Sequence, residues 1–585
     1  MKKILCKLIT LCGVVALVTL TAVACSNNAP STQQTSQGSD TTSAPSAQTT
    51  PALVTTTAPI NDPSLNISEY TIIRSENASS VVVSALKSFK NYISDYTEES
   101  LTIKTDFVKR GETLDNSHSE ILIGQTTRPE SSEAFETLSA TTNDYYIGFV
   151  RNKLVIVGKT DEALLVAMRE FILSYVATSK SKSTFNITEE FALMARDDDK
   201  AETLINLTNV ETLYTSKIAP ASKDHTLWPT YERILKLEHN GENNGILFAT
   251  GQWAKQNFPV YKSTNDGVSW ELIATVAEQL YPGYVANWQP HIYELPCQVG
   301  EMPEGTLLLA GCTRDPETKS FTAMTIFRSY DLGLTWEEFT VVDTGNGLSD
   351  GLYEPYLICD KDGTLVCFYS DETEVSDVGG QRLVFKASKD GVNWGEEKYC
   401  VAPKDRSLRP GMVTVAQMGD HGYILSYEMI GQAGGPVYTK VSDSLTDWGD
   451  GSDLGKKITS TTASFTGCTP YCAWTPAGGE YGTVIAAGRF GDSGVSTMSD
   501  LFLSFDLGKT WYSFENPLPY GYEKPTSANY AYSFGFFCDA DGYIYYVNNV
   551  FPDEKYMLYT YSDMKMAKIK ITTIDDELAE KNLSK

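Results

Sequence analysis

Four stretches of the chain end alike: "STNDGVSW" at Trp270, "SYDLGLTW" at Trp336, "ASKDGVNW" at Trp394 and "SFDLGKTW" at Trp511, with a degenerate fifth, "SDSLTDW", at Trp448. Successive tryptophans stand 66, 58, 54 and 63 residues apart, which is room for one four-stranded sheet per repeat with long loops. Each copy reads as a hairpin turn in which the acidic side chain accepts backbone N–H groups, Gly takes φ > 0 and Trp packs between sheets. These aspartates are therefore read as structural devices and not as catalysts. Beyond Leu204 the sequence is short aromatic and β-branched strands separated by Gly, Asp and Asn turns, and helical periodicity nearly vanishes. Five copies and a leading "YERILKL" strand predict six sheets over residues 204–585.

The repeats resemble the Asp-box, S-x-D-x-G-x-x-W, of sialidase-type propellers. The second and fourth match in full, while Asn265 and Lys389 stand at the acidic position of the first and third. The expected fold is mainly β: a six-bladed sialidase-type β-propeller behind a small α/β domain over residues 66–200. In that domain "VVVSALKSFKNYI" and "ALLVAMREFILSYV" carry apolar residues at helical spacing, and "SEILIGQTTRP" is a buried strand running into a turn. Its "EILIGQTTRPES" and "YYIGFVRNKLVIVGKT" resemble the non-catalytic α/β domain that precedes the barrel in hexosaminidases and α-glucuronidases, which implies no activity.

The first residues pair Lys2 and Lys3 with an apolar stretch ending "TAVAC", which looks like a lipoprotein signal over residues 1–25, with Cys25 as the lipidated N-terminus. The Ser/Thr-rich residues 26–65 then form a tether, too poor in large apolar side chains to offset ordering entropy. Membrane contact is expected through this anchor alone. A formal net charge of −27 repels polyanions, so nucleic acid is not expected as a partner and a neutral substrate fits better. Eleven cysteines and five histidines form no metal-type CxxC or His cluster, "CTPYC" at Cys468 and Cys472 being the nearest approach. Buried thiols in strands, no metal, no cofactor and a monomer are expected.

A propeller gathers the inner strands of all blades around one axis, so strand-end polar residues are the candidates for chemistry. Glu354 heads the apolar run of "YEPYLICDKDGTLVCFYSDE", and Glu428 ends "YILSYE" one blade later. Two carboxyl groups facing one another across an apolar, aromatic-rimmed site are what glycosidic bond cleavage requires, one protonated as general acid and one ionised as nucleophile or base. The structural alternative for each is an ion pair with an arginine such as Arg409, or a loop cap.

At these residues the chain resembles the exo-arabinanases of glycoside hydrolase family 93, propellers that act on α-1,5-linked arabinan. The likeness rests on "NWQPHIYELP", "YEPYL" with "FYSDE", "RPGMVTVAQM" with "YILSYE", and "PYCAWTPAGGEYGTVIAAGRF". It implies a retaining exo-glycosidase with Glu354 and Glu428 as the catalytic pair, read as acid/base and nucleophile in that order. A tyrosine of "SANYAYSFGFF", Tyr532 or Tyr530, would complete the site. Arg233, Trp288, Asp371 and Arg409 are candidate substrate contacts, and Trp253 and Trp474 are candidate stacking platforms beside the default of core packing. Two other classes remain: a sialidase, which needs an arginine triad for the substrate carboxylate, and a lipid-tethered propeller that binds glycan without cleaving it.

Overall fold

A computed structural model describes residues 66–583 apart from 110–118, 178–182, 186, 189–190, 197–200, 204–205, 221–229, 253–256, 282, 284, 316, 318–319, 348–349, 374–379, 461–465, 492–493, 499, 519–531 and 551–561. Cys25 and Tyr530 lie outside the described residues, as does Trp253.

The α/β domain is a six-stranded sheet. Strands Thr102–Thr105, Thr71–Arg74, Glu120–Ile123 and Lys153–Gly158 run parallel, and Tyr145–Val150 and Ala192–Ala195 continue the sheet antiparallel. Helix Ser80–Thr97 starts where Ser79 accepts the Val82 N–H and ends at Glu98 in the left-handed conformation, and it buries Leu86, Phe89 and Ile93. Helix Asp161–Phe171 is capped by Thr160 and carries Asp161 and Glu162 in its first turn, where the helix dipole favours them.

Among the described residues six antiparallel sheets of four or five strands follow, each a blade, beside a small two-stranded sheet of Phe490–Gly491 and Gly494–Met498. Their innermost strands are Thr230–Lys236, Val285–Glu294, Leu352–Cys359, Arg409–Gln417, Tyr471–Thr475 and Gly535–Cys538, numbered blades 1 to 6. The sixth blade adds Asn209–Ala219, which pairs with Asp563–Thr572, so the ring is closed by strands from both ends of the propeller sequence. Ala201–Thr203, just before the expected start of this region, pairs onto the same sheet as its edge. Separate apolar clusters fill the gaps between blades: Trp448 of blade 4 meets Phe368 of blade 3 edge-on at 6.0 Å, as expected of tryptophans packed between sheets.

The repeated turns close as their chemistry dictates, with one correction. Asp331 and Asp506 accept the Thr335 and Thr510 N–H groups, and Asn265 does the same for Ser269. In the third repeat the acidic position is not Lys389. Asp390 accepts the Val392 and Asn393 N–H groups at 2.9 and 2.7 Å, while the Lys389 ammonium pairs with Asp362. This turn is one residue tighter between Ser388 and Gly391, and that shifts the frame.

The α/β domain packs on the propeller end away from Glu354. Leu207 and Ile574, which flank the propeller, are wholly buried in the domain's core. Arg169 donates to the Leu207 carbonyl and to Glu577, and Tyr96 donates to Asp575. Asn206 donates to Gly478 O at 2.7 Å, in the turn that follows the far end of the blade 5 inner strand.

Candidate active site

Each blade brings a non-glycine residue in the left-handed conformation to the head of its inner strand: Tyr231 (φ 52°), Gln289 (57°), Glu354 (61°), Met412 (58°), Thr469 (40°), preceded by Cys468 (60°), and Ser533 (65°). Such residues cost conformational energy and cluster where function over-determines the backbone. Pairing with the second strand shifts register there in blades 2, 3 and 4, so a bulge turns side chains and N–H groups toward the axis. Two residues further along each strand stands a second layer: Arg233, His291, Tyr356, Thr414, Tyr471 and Gly535.

Glu354 is held by four donors. Ser370 Oγ and the Met412 N–H reach Oε2 at 2.7 and 3.1 Å, and Tyr231 OH and Gln289 Nε2 reach Oε1 at 3.2 and 3.4 Å. Gln289 also accepts the Glu354 N–H at 3.0 Å, which fixes the strained residue through its own backbone. Glu428 comes from the second strand of blade 4, Tyr423–Ile430, where it pairs with Gly411. It accepts the Thr469 N–H at 2.7 Å. The Gly411–Met412 stretch thus touches both carboxyl groups: a Cβ on Gly411 would lie 3.2 Å from Glu428 Oε1.

Burial raises the pKa of both acids, but their surroundings differ. For Glu354 the Ser370 bond, then Arg409, the Met412 N–H and Tyr231 counter the rise. Glu428 is pushed up to about 7 by burial and by the Glu354 charge, against the Thr469 N–H and the charges of Arg409 and Arg489. A carboxyl group with four donors favours its ionised form, and a buried one beside a negative charge keeps its proton. The two carboxyl groups, on adjacent blades, are thus both held above the usual carboxylate range, with more hydrogen-bond donors on Glu354.

Tyr532 precedes the blade 6 inner strand. Its ring lies 5.4 Å from that of Tyr231 and 5.2 Å from the Arg489 guanidinium, and burial followed by the Glu428 and Glu354 charges raises its pKa. The Tyr532 carbonyl accepts the Tyr231 N–H at 2.8 Å, which ties blade 6 to blade 1 at the site.

Other sequence candidates have different surroundings. Arg233 is buried in the second layer and donates to the Glu232, Ser533 and Phe534 carbonyls and to Ser533 Oγ, with its guanidinium 5.1 Å over the Tyr471 ring. It braces the floor of the site. Asp371 is also buried, bound by the Arg382 guanidinium and by the Thr373 N–H at 2.7 Å. Arg409 stays half-exposed and pairs with Glu372 at 2.6 Å, while its charge bears on both Glu354 and Glu428. Trp288 is half-buried, stacked under Arg314 at 4.0 Å and 6.4 Å from Tyr353. Trp474 does not reach the site. It lines a cavity of about 270 Å³ at the opposite mouth of the ring, with Tyr293, Glu238 and His239, because the blade 5 inner strand runs away from Thr469.

Sequence reading passed over Tyr231, Gln289, Ser370, the Met412 and Thr469 N–H groups, and Arg489. Gln289 and Ser370 sit inside the motifs "NWQPHIYELP" and "FYSDE", so motif membership was their one signal.

No protein-family model matches the chain, and no curated protein matches it. Solved structures do. The α-L-arabinanase of Penicillium chrysogenum, complexed with arabinobiose, is 25% identical with a TM-score of 0.52, over 62% of this chain and 99% of that one. The glycoside hydrolase family 93 α-L-arabinofuranosidase of Fusarium graminearum, also with arabinobiose, is 25% identical with a TM-score of 0.52, over 61% of this chain and 98% of that one. The resemblance to family 93 and the six-bladed propeller expected from sequence are both found.

Proposed function

We propose that this chain is an exo-acting glycoside hydrolase that cleaves a neutral glycan, α-1,5-linked L-arabinan, with retention, using Glu354 and Glu428. One observation carries the reading: two carboxyl groups on neighbouring blades flank a single backbone stretch, Glu354 accepting from four donors and Glu428 accepting the Thr469 N–H beside the Glu354 charge. The likeness to two enzymes solved with arabinobiose supports the substrate class.

The donor pattern favours the opposite assignment of roles from the one expected from sequence. Glu354, with four donors, is the ionised nucleophile that attacks the anomeric carbon, and Glu428 gives its proton to the departing glycosidic oxygen. In the second step Glu428, now ionised, takes a proton from the water that opens the glycosyl–Glu354 ester. Tyr231 and Gln289, bonded to each other and to Glu354, keep its carboxylate aimed. Arg409 and Trp288 line the approach as hydrogen-bond donor and stacking face, and Tyr532 packs beside Tyr231.

Arg233 and Arg409 are engaged by protein acceptors, which disfavours a carboxylate-binding triad and with it a sialidase. The α/β domain, on the far side of the ring, serves the enzyme without contributing to the chemistry. Cys25 anchors it by lipid outside the cytoplasmic membrane, on the tether of residues 26–65. Incubating the protein with linear α-1,5-arabinan and with a sialoside tests the reading: short arabino-oligosaccharides released from chain ends support it, and sialic acid release with arabinan untouched overturns it.

A further inference from the structure

We propose that Cys297 and Cys359 are a cystine-forming pair, a modification site that clips blade 2 to blade 3. Cys297 lies in the turn that leaves the blade 2 inner strand, and Cys359 ends the blade 3 inner strand, whose head carries Glu354. Their sulfurs are 4.0 Å apart, and both thiols point at the Asp360 carbonyl, at 3.7 and 3.4 Å. A disulfide needs the sulfurs to close to about 2 Å, a movement that side-chain rotation supplies when both already aim at one point. The "CTPYC" pair differs: Cys468 faces Gly434 O, whereas Cys472 faces Thr414 Oγ1.

The two thiols divide the work. Cys297 is only partly buried and is the thiol an oxidant meets first, while Cys359 is buried and its pKa is raised by burial and by Cys297. With a small disulfide such as oxidised glutathione, the Cys297 thiolate attacks one sulfur and releases one glutathione thiol. The Cys359 thiolate, having given its proton to solvent, then attacks the Cys297 sulfur of the mixed disulfide and releases the second thiol. Two protein thiols are oxidised and one glutathione disulfide is reduced to two thiols. The bond closes a loop between positions 297 and 359, which restricts the unfolded chain, and it pins the lower end of the strand that presents Glu354.

The full chain is equilibrated with reduced and oxidised glutathione at pH 8, its free thiols are alkylated, and it is digested and mapped without reduction. The expected result is a Cys297 peptide joined to a Cys359 peptide, lost on reduction, with Tm falling by several degrees when dithiothreitol is added and no such fall in Cys297→Ser. Cys297 recovered alkylated or glutathione-capped with Cys359 alkylated overturns the proposal, as does an equal fall in Tm for Cys297→Ser. Should that variant not fold, the peptide map of the unmutated chain decides alone.

Discussion

The Met412 N–H meets Glu354 Oε2 at 3.1 Å, from a residue that is itself left-handed at φ 58°. Its neighbour Gly411 pairs with Glu428 and has no room for a side chain: a Cβ there would stand 2.9 Å from Gln381 Nε2 and 3.2 Å from Glu428 Oε1. Gly411→Ala is therefore expected to displace one carboxyl group relative to the other and to lower kcat by roughly 10²-fold, the cost typical of a displacement of about 1 Å at a reacting centre. Steady-state kinetics beside thermal unfolding checks this, the expectation being a large kinetic loss with a small change in Tm.

Gln289 serves Glu354 twice, donating to its carboxylate and accepting its backbone N–H, and it also takes the Cys312 thiol at 3.1 Å. Gln289→Ala leaves that strained N–H unpartnered, a penalty of about 1–3 kcal/mol. It is expected to lower kcat/KM and to raise the pKa of the acid limb, because Glu354 loses a donor that favours its charge. A pH–rate profile of this variant against the parent measures the shift.

The pair sets a pH window for activity. With Glu428 near 7 and its proton needed for the first step, kcat/KM should fall on the alkaline side with an apparent pKa close to neutrality, a value belonging to the coupled pair. A profile flat from pH 6 to 9 contradicts the acid role.

Glu232, beside Tyr231, is wholly buried, and neither carboxylate oxygen has a side-chain hydrogen-bond partner among the described residues. Burial raises its pKa to about 8 from the model-compound 4.5. The folded state therefore holds a proton that the unfolded state releases, and stability is lost as pH rises from about 4.5 to about 8, by up to ~5 kcal/mol. Glu232→Gln removes the charge but not the shape. Its Tm should exceed the parent's at pH 9 and approach it at pH 5, and equal differences at both pH values refute this account.

The blades were legible because their turns are local chemistry: an acidic acceptor, a glycine and a tryptophan within eight residues announce a hairpin wherever they occur. The third repeat shows the limit, since one residue fewer between Ser388 and Gly391 moves the acceptor to Asp390 without changing the look of the segment. Glu354 and Glu428 stood out because a carboxylate is out of place at the end of an apolar strand. Tyr231, Gln289 and Met412 did not, because a left-handed non-glycine residue leaves no mark in sequence and is fixed by partners on other blades. Trp474 was misplaced because sequence pattern marks a strand but not which end faces the site.

The central claim is that Glu354 and Glu428 together form the catalytic pair, and it is tested most directly by the kcat of Glu354→Gln and Glu428→Gln on linear α-1,5-arabinan. Each change keeps the shape of the side chain and removes its charge or its transferable proton, so both variants should lose at least about 10³-fold in kcat with Tm within a few degrees of the parent. Either variant turning over arabinan within about tenfold of a demonstrably active parent would contradict the account.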